Sequence, residues 1–248
     1  MKADLKSAVF NYSMLAALLL VLILLFRTML GDANANTEAD YLEYILAPMA
    51  TSGFTPFAVL FPLLPYSVRF ADEYNSGYLR FSVMRFGKNR YIFSKIISTG
   101  ISGGLTIAIP FAIVFLYAMF THSAPTATSY SDFYSGTVWE AFIINGVPVC
   151  VVLYKLLLAF LFGCVWSIVG LMISQLLPNR YATIIIAFVI YQLLWLVLAF
   201  TPFNPVYLLR GDWGYFTSVF QVIGIELAYL VLAIIGTKAL YNRRIKNV

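Results

Sequence analysis

The chain predicts an all-α, polytopic membrane protein of six transmembrane helices, and three observations predict it. Of its 248 residues, 61% are hydrophobic and 11% charged, where soluble domains carry about a quarter charged residues. The apolar residues gather into runs of the roughly 20 residues that a bilayer crossing requires. The Lys and Arg residues fall between those runs in an alternating pattern, as topogenic charges do.

The first span covers about residues 8–26, and its core, Met14–Phe26, is almost unbroken Leu, Val, Ile and Ala. Arg27 and an acidic segment follow it in place of a small-residue cleavage site, so it reads as a retained span. The second, at about 44–68, carries Pro48, Pro56, Pro62 and Pro65. Proline removes a helix hydrogen bond and is tolerated in a span only where neighbours re-satisfy the freed carbonyls. This span is therefore expected to be kinked and packed inside the bundle.

The third, at about 93–120, holds Gly100, Gly103 and Gly104, small enough to admit a neighbouring backbone, and Pro110. The fourth lies at about 148–177, the fifth at 181–200 and the sixth at 217–240. Cys150 and Cys164 share the fourth run and would stand roughly 21 Å apart along it, too far to bridge. The turn Pro178-Asn179-Arg180 joins the fourth and fifth spans tightly. The fifth and sixth are joined by a segment, 201–216, too aromatic and apolar for a solvated loop. It reads either as a re-entrant element or as an interfacial aromatic belt.

With the N-terminus inside, thirteen of the sixteen Lys and Arg residues fall on the inner side. Arg27, Lys155 and Arg210 are left outside. Acids lean outward: Asp32, Glu38, Asp40, Glu43, Asp132, Glu140 and Asp212. Both termini are thus expected in the cytoplasm, in a single six-span domain over residues 1–248. The formal net charge of +5 follows this topology and predicts no nucleic-acid partner.

Catalytic constellations are not found. His122 is the single histidine and stands in an outer loop. There is no H-E-x-x-H, no zinc-spaced cysteine pair and no nucleophile elbow, so no metal site is expected. Gly87-Lys88 lacks the preceding glycine of a P-loop, so the chain has no ATP site of its own.

One acid, Glu226, falls within a span. A carboxyl in hydrocarbon costs on the order of 3 kcal/mol and faces the bundle interior or a cavity. It reads as a relay or a contact for a cationic substrate, or else as a hydrogen-bonded packing residue. Pairing with Lys155, near the outer end of the fourth span, is an expectation. Tyr191, Gln192 and Trp195 of the fifth span are further translocation-path candidates, with helix packing as their other reading.

The densest signal is the basic island between the second and third spans. Six Lys and Arg residues lie between Arg69 and Lys95. A helix over 72–86 would set Asp72 and Glu73 at its start and Arg85 and Lys88 at its end, complementing the helix dipole. Tyr74, Tyr78, Phe81 and Phe86 offer contact area, Gly77 close approach, and Arg80 and Arg85 forked donors for a partner's carboxylates. The segment reads as a docking surface, or as a topogenic loop whose aromatics lie at the lipid interface.

These residues carry a resemblance. Glu73-x-x-x-Gly77, followed by Leu79, Arg85, Arg90-Tyr91 and Lys95, resembles the coupling segment of type-2 ABC exporter permeases. The Pro178-Asn179-Arg180 turn and the segment Phe200-Thr-Pro-Phe-Asn-Pro-Val-Tyr-Leu-Leu209 also resemble that family, the latter its outer re-entrant helices. The proline-rich second span departs from it.

The resemblance implies a permease subunit in a bacterial cell membrane. A second permease, in a homodimer or heterodimer, would pair with two separate ATPases that supply ATP and Mg. The amphipathic coupling segment 69–92, with Asp72, Glu73, Tyr74, Gly77, Arg80 and Arg85, would receive their motion. The cargo would be hydrophobic or amphipathic: a peptide, an antibiotic or a lipid-like molecule. An ion-coupled secondary transporter centred on Glu226 is the alternative, and a non-transporting scaffold comes third.

Overall fold

The computed structural model describes residues 2–32, 40–51, 54–125, 136–211, 216 and 218–245, and the chain is all-helical, with no strand among them. Glu38, Asp132, Asp212 and Lys246, which enter the charge pattern, lie outside the described residues. Among the described residues, four helices are long and apolar enough to cross a membrane.

The expected first span is two helices, α1 (Lys2–Val9) and α2 (Tyr12–Asp32), parted at Phe10 and Asn11. The expected second span is not one helix. It is α3 (Tyr41–Thr51), α4 (Phe54–Phe57) and α5 (Leu60–Leu63), followed by turns through Val68. Each of the three pieces contains a proline and the turn after them contains Pro65, so the missing N–H groups break the ladder repeatedly. Asp40 caps α3, its Oδ1 accepting from the amides of Leu42 at 2.9 Å and Glu43 at 3.0 Å.

The single helix expected over 72–86 is also two, α6 (Arg69–Asn75) and α7 (Tyr78–Phe86). Gly77 separates them at φ +73°, a left-handed conformation that glycine adopts without penalty. Gly87, at φ +79°, then turns α7 into α8 (Lys88–Thr121), which begins earlier than the expected third span. A short α9 (Glu140–Ile144) precedes α10 (Val149–Leu176). Asn179 caps α11 (Arg180–Val197) through the amides of Tyr181 and Ala182. Asn204 caps the buried α12 (Pro205–Arg210), with Pro205 in its first turn, and α13 (Val219–Ile245) closes the bundle.

The core is built on the α8–α10 pair, the most extensive helix contact in the molecule. A Cβ on Gly103 would lie 2.4 Å from the Ser167 Cβ and 2.6 Å from the Gly163 carbonyl, so the two backbones touch where only glycine fits. Gly100 meets Ile168 while Gly104 meets Phe160, which makes the pair antiparallel. α10 is buried over most of its length, whereas little of α11 and α13 is fully buried. Both cysteines are free, and the Cys164 thiol donates to the Gly100 carbonyl at 3.2 Å.

The charge pattern takes physical form in this packing. Asp4 of α1 reaches the start of α8, and Arg244 of α13 reaches the end of α10. The island, Arg180, Arg243 and Arg244 thus collect at one end of the bundle. Phe26, beside Arg27, stacks edge-on against Tyr117 near the far end of α8, and Lys155 and Arg210 meet at that same far end.

Candidate functional site

At the basic end, four elements meet around one ion pair: α1, the turn that carries Tyr66, α6 and α8. The Lys95 ammonium of α8, its side chain 3% exposed, donates to Glu73 Oε1 of α6 at 2.6 Å and to the Tyr66 hydroxyl at 2.9 Å. The Tyr91 hydroxyl, one helical turn before Lys95, donates to Glu73 Oε2 at 2.5 Å. Arg69, one turn before Glu73 on α6, approaches the same carboxylate at 3.5 Å. Charges this deep cost several kcal/mol each to desolvate unless fully paired. Here both oxygens of Glu73 are engaged.

Asp4 of α1 closes the cluster. Its carboxylate accepts from the Ser94 hydroxyl at 2.8 Å and from Tyr66 at 3.4 Å, and it stands 3.7 Å from the Lys95 ammonium. Burial pulls its pKa up, but the Ser94 hydrogen bond, the Lys95 and N-terminal charges and the Tyr66 hydrogen bond together hold it below its ordinary 3.8.

Three further ties bind the α6 segment outward. Asp72 pairs with Arg180 of α11 at 3.0 Å, and Asn75 donates to the Pro178 carbonyl at 2.8 Å. The Arg244 guanidinium lies 4.3 Å over the Tyr74 ring while donating to the Gln175 and Leu176 carbonyls at the end of α10. A polar groove of about 520 Å³ runs beside this junction, bordered by Asn11, Ser13, Asp72, Ser76 and Arg180.

The α7 helix projects from that anchored base. Leu79 and Ser82 are buried beneath it, while Phe81 is 68% and Met84 74% exposed, with Tyr78, Arg80 and Arg85 also exposed. Arg80 and Arg85 form no ion pair among the described residues, and the Arg85 guanidinium lies 5.4 Å from the Phe86 ring. The six island residues therefore divide. Asp72, Glu73 and Tyr74 face inward or sideways as ties, Gly77 makes the corner, and Arg80 and Arg85 face out.

The path candidates divide too. The Tyr191 hydroxyl, fully buried, donates to the Thr55 carbonyl at 2.7 Å, and Gln192 donates to the Pro56 carbonyl at 2.9 Å. These are carbonyls of the proline-broken segment, and α11 supplies the partners that the missing helix ladder does not. Trp195 is at the surface, its carbonyl accepting from Asn204 at 3.2 Å. Glu226 is 2% exposed and lines a cavity of about 230 Å³ between α10, α11, α12 and α13.

The expected Lys155–Glu226 pair does not form. The Lys155 ammonium lies 4.1 Å over the Trp139 ring and donates to the Arg210 carbonyl at the end of α12, where a cation offsets the helix dipole. His122 stacks on Tyr44 with ring centroids 3.9 Å apart.

No sequence motif marks Tyr66, Ser94 or Asn75 for the cluster that they join with Asp4. A legible signal existed for Asp4 alone, an acid set in an otherwise basic N-terminal segment. No family model, characterised protein or solved structure matches this chain.

Proposed function

We propose that the chain is the membrane permease subunit of an ATP-driven exporter of the type-2 ABC class. It would span the membrane six times with both termini in the cytoplasm, and pair with a second permease and two separate ATPase subunits. In this reading α2, the broken α3–α5 segment, α8, α10, α11 and α13 are the six spans, and the buried α12 is the re-entrant element.

One observation carries the reading: an exposed helix is fixed to a buried ion-paired base. α7 presents Tyr78, Arg80, Phe81, Met84 and Arg85 outward. Its base, α6, is tied to α8 through Glu73 and Lys95, to α11 through Asp72 and Arg180, and to the ends of α10 and α13 through Arg244. A partner pressing on α7 would move those four helices together. A loop serving topology alone needs neither the buried carboxylate nor the three lateral ties.

The test separates surface from base. With the ATPase subunit co-expressed, Arg85→Glu and Phe81→Ala should abolish its copurification while leaving the melting temperature of the permease unchanged. Glu73→Gln should keep the ATPase bound but break the dependence of ATP hydrolysis on transport. If both surface variants retain full ATPase capture and export, α7 is not the coupling surface.

A second reading, ion-coupled transport through Glu226, is favoured by that residue's position in a cavity. Transport that persists on a proton gradient with no ATPase present selects it.

A further inference from the structure

We propose that the cavity between α10, α11, α12 and α13 is a binding site for a lipophilic organic cation, an ammonium group carried on a compact apolar body, with Glu226 as its counter-charge. Glu226 enters from α13 and is the one charged side chain in the lining among the described residues. Its Oε2 is fully buried and has no hydrogen-bond partner among the described residues. Among the described residues no cation pairs with it, and Lys155 is held at the end of α12.

Other polar groups nearby have their own partners. The Tyr229 hydroxyl donates to the Phe203 carbonyl at 2.8 Å, and the Cys164 thiol donates to Gly100. The faces contributed by α11 and α12 are apolar, with Ile190, Leu194, Pro205 and Leu208.

A lone carboxyl in such surroundings has two ways out: holding a proton or meeting a cation. This cavity is furnished for the second. Phe162 and Trp166 of α10 and Tyr229 of α13 line it, and aromatic faces attract an ammonium most strongly where water is excluded. Trp166 is set by its neighbours, packed edge-on with Tyr191 at 5.1 Å and tilted against Phe162 at 6.2 Å. The volume of about 230 Å³ lies just below the roughly 300 Å³ at which drug-sized sites begin, which suits a compact amine head and not a peptide chain.

The proposal deepens the export reading by naming a cargo class, and it rests on that reading only in calling the ligand a cargo. Binding is therefore measured on the full-length chain alone, in lipid nanodiscs, with no ATPase present. Failure of binding removes this site, whereas failure of ATPase copurification removes the exporter, and the two results are independent.

The probes are 4-fluorobenzyltrimethylammonium and its neutral isostere 4-fluoroneopentylbenzene, followed by fluorine NMR. The cation should bind saturably and more tightly than the isostere. Glu226→Gln should weaken the cation at least roughly thirtyfold, the loss that follows removal of one member of a buried charge pair. The isostere should bind that variant as it binds the wild type, which also reports that the variant is folded. Ala233→Leu, filling the cavity from α13, should weaken both probes. The site is overturned if the cation shows no saturable binding, if Glu226→Gln leaves its affinity unchanged, if the isostere binds the wild type as tightly, or if Ala233→Leu affects neither.

Discussion

The Glu73–Lys95 pair is where single residues matter most. Removing one member of a buried ion pair strands the other and costs about 3–5 kcal/mol, whereas replacing both strands neither member. Glu73→Gln and Lys95→Met should therefore each lower the melting temperature strongly. The double variant should lose less than the sum of the two, with a coupling of about 0.5–3 kcal/mol in a thermodynamic cycle. Simple addition of the two losses would show that the pair does not act as a unit. Asp4 adds a pH signature. Its folded pKa lies below the ordinary 3.8, so its contribution is complete above that value and disappears as pH falls through the lower folded value. Melting curves of wild type and Asp4→Asn should stay apart at neutral pH and converge below about pH 4. These roles were only half legible. An acid followed by a basic, aromatic stretch marks Glu73 and Lys95 as notable, but the inward turn of Glu73 depends on α8 returning Tyr91 and Lys95 to α6. That long-range pairing has no local pattern.

Among the elements, the glycines divide by the physical reason for their presence. Gly163 faces α8 so closely that a Cβ there would lie 2.3 Å from the Gly103 carbonyl, and neither backbone can yield without separating the helices. Gly163→Ala should destabilise by roughly 1–3 kcal/mol or more, as overpacking does, read as a loss of thermal stability in detergent. Gly77 is a different case. Nothing lies within 4 Å of where its Cβ would be, but φ is +73°. Gly77→Ala meets only the left-handed backbone penalty of about 1–2 kcal/mol. Its effect should fall on the α6–α7 corner, seen as faster amide exchange across α7 with the exchange of α10 unchanged. The sequence shows where most long helices run because an apolar run between charged loops leaves little choice. It does not show that 72–86 is cut in two, since Gly77 reads equally well as a surface for close approach. It also leaves open how far the prolines divide 44–68, because a span keeps its helix where neighbours bond the freed carbonyls. Here Tyr191 and Gln192 bond to the Thr55 and Pro56 carbonyls of a chain already broken into short helices.

For the whole molecule, the arrangement of charge and the direction of the helices make one argument. α8 and α10 are antiparallel through the Gly103–Gly163 contact, and Arg244 ties the end of α13 to the end of α10. The start of α8, the α10–α11 turn and the end of α13 therefore share one end of the bundle, and among the described residues the island, Arg180, Arg243 and Arg244 stand apart from Arg27, Lys155 and Arg210. A bias of Lys and Arg in short loops orients a polytopic chain with its basic end in the cytoplasm. Two exposed positions test that end against the other: Asn89 at the start of α8, and Asn145 between α9 and α10. Both native cysteines are first replaced by alanine to remove the background thiols. Asn89→Cys should then react with a membrane-impermeant maleimide only in inside-out vesicles, and Asn145→Cys only in intact cells. The opposite pattern would invert the protein and put α7 beyond the reach of any cytoplasmic ATPase. Labelling of both positions from one side would mean an odd number of crossings in the chain from Asn89 to Asn145 is wrong, and with it the assignment of α8 as a span.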